Sequence, residues 1–208
     1  MTTPGGPGLA GLSVSRETID LLHDLEARAR HWNAKINLFS RSTTDDIWAR
    51  HIVDSAQIVL HLDEWPRTWA DLGSGGGFPA LVVAAIATEL SPETHVTMIE
   101  SDQRKCAFLR QTSQALGLAA TVIARRIEEA SPQGAHVVSA RALAPLDRLL
   151  PLVHRHLDPE GTALLMKGQR WEDELRALCD DWRFQLDVHR SITHPDAAIL
   201  AVKDLTRG

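Results

Sequence analysis

Asp71 stands two residues ahead of the run Gly73-Ser74-Gly75-Gly76-Gly77, Glu100 closes a later apolar stretch, and Glu128 follows Arg126-Ile127 after a third. Acids and glycines so spaced suit a nucleoside-bearing ligand. Glycine lets the backbone approach a ligand closely and take up positive φ. Two registers of the run compete. Gly75-x-Gly77-x-x-Ala80 matches the dinucleotide fingerprint, whose helix N-terminus holds a pyrophosphate. Gly73-x-Gly75-x-Gly77 with Asp71 upstream matches a loop that takes S-adenosylmethionine. The second is preferred, because a sulfonium with an amino acid tail has no phosphate to cradle. Phe78 and Pro79 also fill space that a pyrophosphate would need. A purely structural tight turn would use the same glycines.

Glu100 lies about 20 residues beyond the glycines, the offset of an acid that accepts hydrogen bonds from ribose hydroxyls. Its structural alternative is an acid at a helix start, a place that Asp102 fills better. In the turn holding Ile127 and Glu128, a carboxylate and a backbone N–H can meet the exocyclic amino group and ring nitrogen of adenine. A solvated acidic helix start would look the same. Arg141 could donate to guanine O6, to a phosphate or to the cofactor, or form a structural salt bridge. Arg50 and His51 are expected RNA contacts near Asp54, His51 being equally readable as a packed histidine. Lys167 is expected to reach a phosphate or base. The histidines and cysteines show no metal-ligand spacing, so no metal is expected.

These residues need a scaffold. Apolar positions Leu22, Leu25, Ala29, Trp32 and Ile36 recur at helical spacing behind Ser15, a suitable N-cap. A second helix is expected over 44–60. Both are assigned to an N-terminal helical cap, 13–62, preceded by a disordered Gly/Pro-rich leader, 1–12. From residue 66 strands alternate with helices: strands at 68–72, 96–99, 121–123, 137–139 and 162–166, and helices at 79–90, 106–116, 146–157 and 172–181. The last strand candidates, 184–188 and 198–202, are close enough in sequence to pair antiparallel. The expectation is one Rossmann-like α/β domain, a mostly parallel sheet with helices on both faces.

A chain of 208 residues with 44% hydrophobic composition supports one sizeable core. No apolar run reaches the length of a membrane span, no signal peptide is visible, and Cys106 and Cys179 are far apart, so a cytoplasmic home is expected. The net charge of −5 argues against a generic nucleic-acid binder. The basic residues are clustered, however, at 104–110, 125–126, 154–156 and 167–170, and a local basic face can hold a phosphate backbone.

Trp32-Asn33-x-Lys35-Ile36-Asn37-Leu38, Arg50-His51-Ile52-x-Asp54-Ser55 and Asp71-x-Gly73-Ser74-Gly75-Gly76-Gly77-Phe78-Pro79 stand in order along the chain. So do Arg104-Lys105-Cys106-x-Phe108-Leu109, Arg126-Ile127-Glu128-Glu129, Ser139-Ala140-Arg141-Ala142-Leu143-Ala144 and Lys167-Gly168. In this combination the chain resembles the bacterial RsmG family, also called GidB. The resemblance implies a class I methyltransferase with a seven-stranded sheet that uses S-adenosylmethionine to methylate guanine N7 in the decoding-region loop of 16S rRNA. It implies the small ribosomal subunit as partner, a monomer, and cofactor contacts at Gly73, Phe78, Ile127, Glu128 and Arg141, which join Asp71, Gly75 and Glu100. Ala80 departs from the glycine usual there.

Guanine N7 has a free lone pair, so no general base is required. In accord with that, no Asn/Asp-Pro-Pro-aromatic loop and no Pro-Cys nucleophile follows the fourth strand. The rivals are a nicotinamide-dependent oxidoreductase, weakened by the absence of any tyrosine, and a noncatalytic RNA-binding or assembly factor.

Overall fold

The computed structural model describes residues 9–39, 46–178 and 181–208. The first eight leader residues, the Thr44 start of the second expected helix and Cys179 lie outside the described residues. Leu9, assigned to a disordered leader, is buried, and Ala10 and Leu12 pack on the same core. Ordered packing therefore begins earlier than residue 13.

Seven strands form one sheet in the order β3-β2-β1-β4-β5-β7-β6. They are β1 (Thr68–Leu72), β2 (His95–Glu100), β3 (Ala120–Ala124), β4 (Ala135–Arg141), β5 (Leu157–Lys167), β6 (Trp182–Arg190) and β7 (Ala198–Arg207). Strands β1 to β5 are parallel, and β7 returns antiparallel between β5 and β6. The chain builds outward from β1 to β3 and then restarts at β4 on the other side of β1. That reversal opens a crevice at the strands' carboxyl ends, where ligands of such sheets bind.

The helices divide between the faces. The α-helices α1 (Arg16–Ile36), α3 (Ala80–Leu90) and α4 (Gln103–Ala115) share one core cluster with Trp69, Val96, Met98 and Val137. On the other face, α5 (Leu146–His156) and α6 (Trp171–Arg176) cover Ala70, Leu72, Ile99, Val138 and Leu165. The first helix, expected to be part of an N-terminal cap, packs on α3 and α4. Ser15 caps it as expected, its hydroxyl accepting from the N–H of Thr18, and Leu22, Leu25 and Ala29 are buried against the layer. The rest of the expected cap, residues 46–61, joins the same core through Ile47, Ile52, Ala56, Ile58 and Val59. There a π-helical turn (Trp48–Val53), the single α-turn α2 (Asp54–Ala56) and a 3-10 turn (Gln57–His61) replace the regular helix expected. Among the described residues no helix is long and apolar enough to cross a membrane.

Candidate active site

Strand parity decides which side chains can meet. Successive residues of a strand point to opposite faces, so Trp69 and Asp71, Met98 and Glu100, and Val137, Ser139 and Arg141 all project on the side of α1, α3 and α4. Asp71 pairs in register with Ser139. Trp69 Nε1 donates to Ser139 Oγ at 2.8 Å, and that hydroxyl donates to Asp71 Oδ1. The second Asp71 oxygen has no partner among the described residues. Burial raises the pKa of the Asp71 carboxyl to about 6, although the hydrogen bond from Ser139 opposes the rise.

Glu100 lies at the end of β2 and is all but buried. Its Oε2 accepts from the N–H of Gly75 at 2.8 Å, and its Oε1 accepts from the N–H groups of Ser101 and Asp102 at 2.7 and 2.8 Å. One carboxylate thus ties the glycine loop to the start of α4, whose N-cap is Asp102, as the sequence suggested. The glycines divide by role. A Cβ at Gly77 would come within 2.3 Å of Leu81, so this glycine lets the loop pack against α3 and α4. At Gly75, with φ +52°, only the Gly73 carbonyl lies nearby, at 3.7 Å, which leaves room for a ligand. Ala80 is fully buried near the start of α3, so its methyl group fits within the packing there.

Ile127 is buried and Glu128 exposed in a single 3-10 turn, Ile127–Glu129. The cluster read as basic from sequence holds that turn from below. His156, fully buried, bonds through Nε2 to the Ile127 carbonyl at 2.9 Å, and the Arg155 guanidinium donates to the Ala130 carbonyl. Burial lowers the His156 pKa and keeps the ring neutral.

Arg141 is the junction. Its guanidinium donates to Asp54 Oδ2 at 3.2 Å and to His51 Nδ1, and it lies 5.7 Å from the Phe78 ring centroid. His51 stacks on Phe78 with ring centroids 5.0 Å apart. Burial, then the charges of Arg141 and Arg50, lower His51 to about 3, so it is neutral and accepts at Nδ1. His51 is therefore a packed histidine that orients Arg141, while Arg50 remains exposed.

Beside the glycine loop opens a pocket of about 670 Å³. Its walls are the segment 46–57, Arg141 and Ala142, residues 166–169 at the end of β5, and residues 191–199 leading into β7. Gly73, Gly75, Glu100, Ile127 and Glu128 do not line it, and of the expected cofactor residues only Arg141 does. Arg50 and His51 contribute to the wall.

Lys167 also borders this pocket, but its ammonium is already satisfied. It pairs with Glu174 of α6 and donates to the Ala144 carbonyl at 2.8 Å, and the side chain is only 8% exposed. The sequence leads to the expectation that Lys167 reaches a phosphate or base; here it is held by Glu174 and Ala144. Parity supplies the reason: Lys167 follows Ala163 and Leu165 on the face that packs α5 and α6. Gln57 and Thr193 carried no signal in the sequence, and Leu143 stood in the Ser139–Ala144 motif without a role of its own. Leu143 covers Gly73 and would lie 2.5 Å from a Cβ placed there.

A family model described as rRNA small subunit methyltransferase G matches residues 18–200. A protein of Ruegeria sp. (strain TM1040) named Ribosomal RNA small subunit methyltransferase G is 46% identical over 204 residues, covering 97% of this chain and 98% of the relative. Its namesake in Paracoccus denitrificans (strain Pd 1222) is 48% identical over 195 residues, covering 93% and 98%. A solved SAM-dependent methyltransferase from Aquifex aeolicus superposes with a TM-score of 0.59 over 85% of this chain and 97% of its own, at 11% identity. That likeness is one of fold, and it agrees with the Rossmann-like methyltransferase architecture expected from the sequence.

Proposed function

This chain belongs to the rRNA small subunit methyltransferase G family, and from that premise we propose that it methylates guanine N7 in the decoding-region loop of 16S rRNA, using S-adenosylmethionine. One observation carries the reading at the site: the glycine-loop crevice and the 670 Å³ pocket meet at Arg141. A donor and an acceptor can thus be held on either side of a single guanidinium. Neither the oxidoreductase nor the noncatalytic alternative finds support in the relatives.

The residues of the crevice fit the donor. A carboxylate offers about four lone-pair sites, and three N–H groups occupy Glu100. One site remains for a ribose hydroxyl, and a second becomes free if the Gly75 N–H turns to the ligand. Gly73 and Gly75 would let backbone approach the amino acid tail, Ile127 and Glu128 would hold the adenine, and Phe78 would wall the crevice. Asp71 and Glu100 supply negative charge suited to a cationic sulfonium and unsuited to a pyrophosphate. When bound, S-adenosylmethionine supplies an electrophilic methyl group whose leaving group departs as a neutral thioether.

Alignment is then the protein's main task. The N7 lone pair forms the new bond without prior loss of a proton, so the neutral His51 is not called upon as a base, and no metal is needed. Arg141, fixed by Asp54 and His51, orients the guanine through O6 or an adjoining phosphate. We further assign the protein to the cytoplasm as a monomer, which light scattering of the purified chain can check.

The decisive experiment follows labelled methyl transfer to unmodified 16S rRNA in small subunits carrying guanine or 7-deazaguanine at the target. Labelling of the deaza substrate is expected to vanish, although Watson–Crick pairing is unchanged. Undiminished labelling at that nucleotide would place the methyl group on another atom and overturn the N7 assignment.

A further inference from the structure

The turn between β6 and β7 is pinned to the cap by contacts that span most of the chain. Gln57 is only 1% exposed, and its Oε1 accepts from the Ile192 N–H at 2.9 Å. Its Nε2 donates to Ser191 Oγ at 3.1 Å and to Asp54 Oδ1 at 2.8 Å. Thr193 Oγ1 donates to the same Asp54 oxygen, while the other oxygen of Asp54 holds Arg141. A turn that would otherwise be free is thereby built into the network that orients Arg141. A buried amide with both ends engaged costs free energy if either partner leaves, so the turn is held in one position. Its Ile192 side chain is left outside. At 59% exposure it is the most exposed large apolar residue among the described residues, and it stands at the wall of the pocket.

We propose that Ile192 is the RNA-reading lip of the acceptor pocket, an apolar contact for a base of the rRNA loop, and that Gln57 is the residue that positions it. The proposal rests on the acceptor assignment above and deepens it. A nucleotide drawn into a pocket loses its stacking neighbours, and an apolar side chain at the rim offsets part of that loss. Gln57 touches no nucleotide in this arrangement; it sets where Ile192 stands relative to Arg141.

The test compares wild type, Ile192→Ala, Ile192→Val and Gln57→Glu. Labelled methyl transfer to small subunits yields KM and kcat, and calorimetry yields the dissociation constant of adenosylhomocysteine. Ile192→Ala is expected to raise KM for subunits about tenfold, the order of losing part of an apolar side chain's burial, with cofactor affinity unchanged. Ile192→Val should recover most of the loss. Gln57→Glu sets a second carboxylate beside Asp54 and is expected to raise the same KM. A wild-type KM in Ile192→Ala, or an equal loss of cofactor affinity, would overturn the proposal. A wild type that binds adenosylhomocysteine but labels no subunit overturns the acceptor assignment itself, and this inference with it.

Discussion

The crevice over the glycine loop and the pocket beside it are neighbours assembled in different ways. The crevice residues from Asp71 to Glu128 lie at or beyond the ends of β1, β2 and β3, where strand and turn present them and longer-range contacts such as Ser139–Asp71 and His156–Ile127 hold them. The pocket draws on residues 46–57, 141–142, 166–169 and 191–199, and one of its hydrogen bonds joins positions 135 residues apart. A strand, a turn and a helix form the crevice from neighbouring parts of the chain, whereas the pocket waits for the antiparallel return of β6 and β7 and for the 46–61 segment to settle. On the proposed assignment, the acceptor pocket is the part that depends more on distant segments. Arg141 is the exception, because it belongs to both.

That exception yields the largest expected effect. Arg141→Ala should lower methylation kcat/KM by about 100-fold, the order expected when a reacting group is misplaced by roughly an ångström. The melting temperature should fall by less in proportion, since Asp54 keeps its bonds from Gln57 and Thr193 when the guanidinium is gone. Parallel activity and thermal-melting assays decide it. Full activity would leave Arg141 a structural ion pair and would separate the two regions completely.

Glu100→Ala should break the crevice alone. Loss of its charge-assisted bonds weakens adenosylhomocysteine binding by about tenfold or more, while KM for subunits stays near wild type. Calorimetry beside steady-state kinetics gives both numbers. If the two constants shift together, the crevice and the pocket are not independent.

The smallest effect is in pH dependence. His51 titrates near 3 in the folded chain against an ordinary 6.5, so its contribution to stability is present above 6.5 and is lost as pH falls toward 3. Asp71 is raised from 3.8 to about 6, so its contribution is fullest below 3.8 and is lost as pH rises through 6. Between about 4 and 6 the pocket side and the crevice side oppose each other. Thermal scans across that window should show His51→Asn losing stability toward acid less steeply than wild type, and Asp71→Asn more steeply. Profiles parallel to wild type in both variants would remove these two groups from the acid response.

The sequence by itself determined the order of the strands and helices, the glycine loop, the acids that end β2 and follow β3, and the caps Ser15 and Asp102. Each rests on short-range rules: hydrophobic period, turn chemistry, and a polar atom near an unpaired backbone group. Tertiary structure alone decided that α1 joins a helical layer, because its apolar stripe does not say which surface it will meet. It also decided that the cluster 154–156 buttresses the Ile127 turn and that Lys167 is consumed by Glu174. A charged residue reads the same in sequence whether it faces water, a phosphate or a buried carbonyl. Only the packed chain brings Gln57 to Ile192, since no local rule relates residues so far apart until the sheet has closed the distance between them.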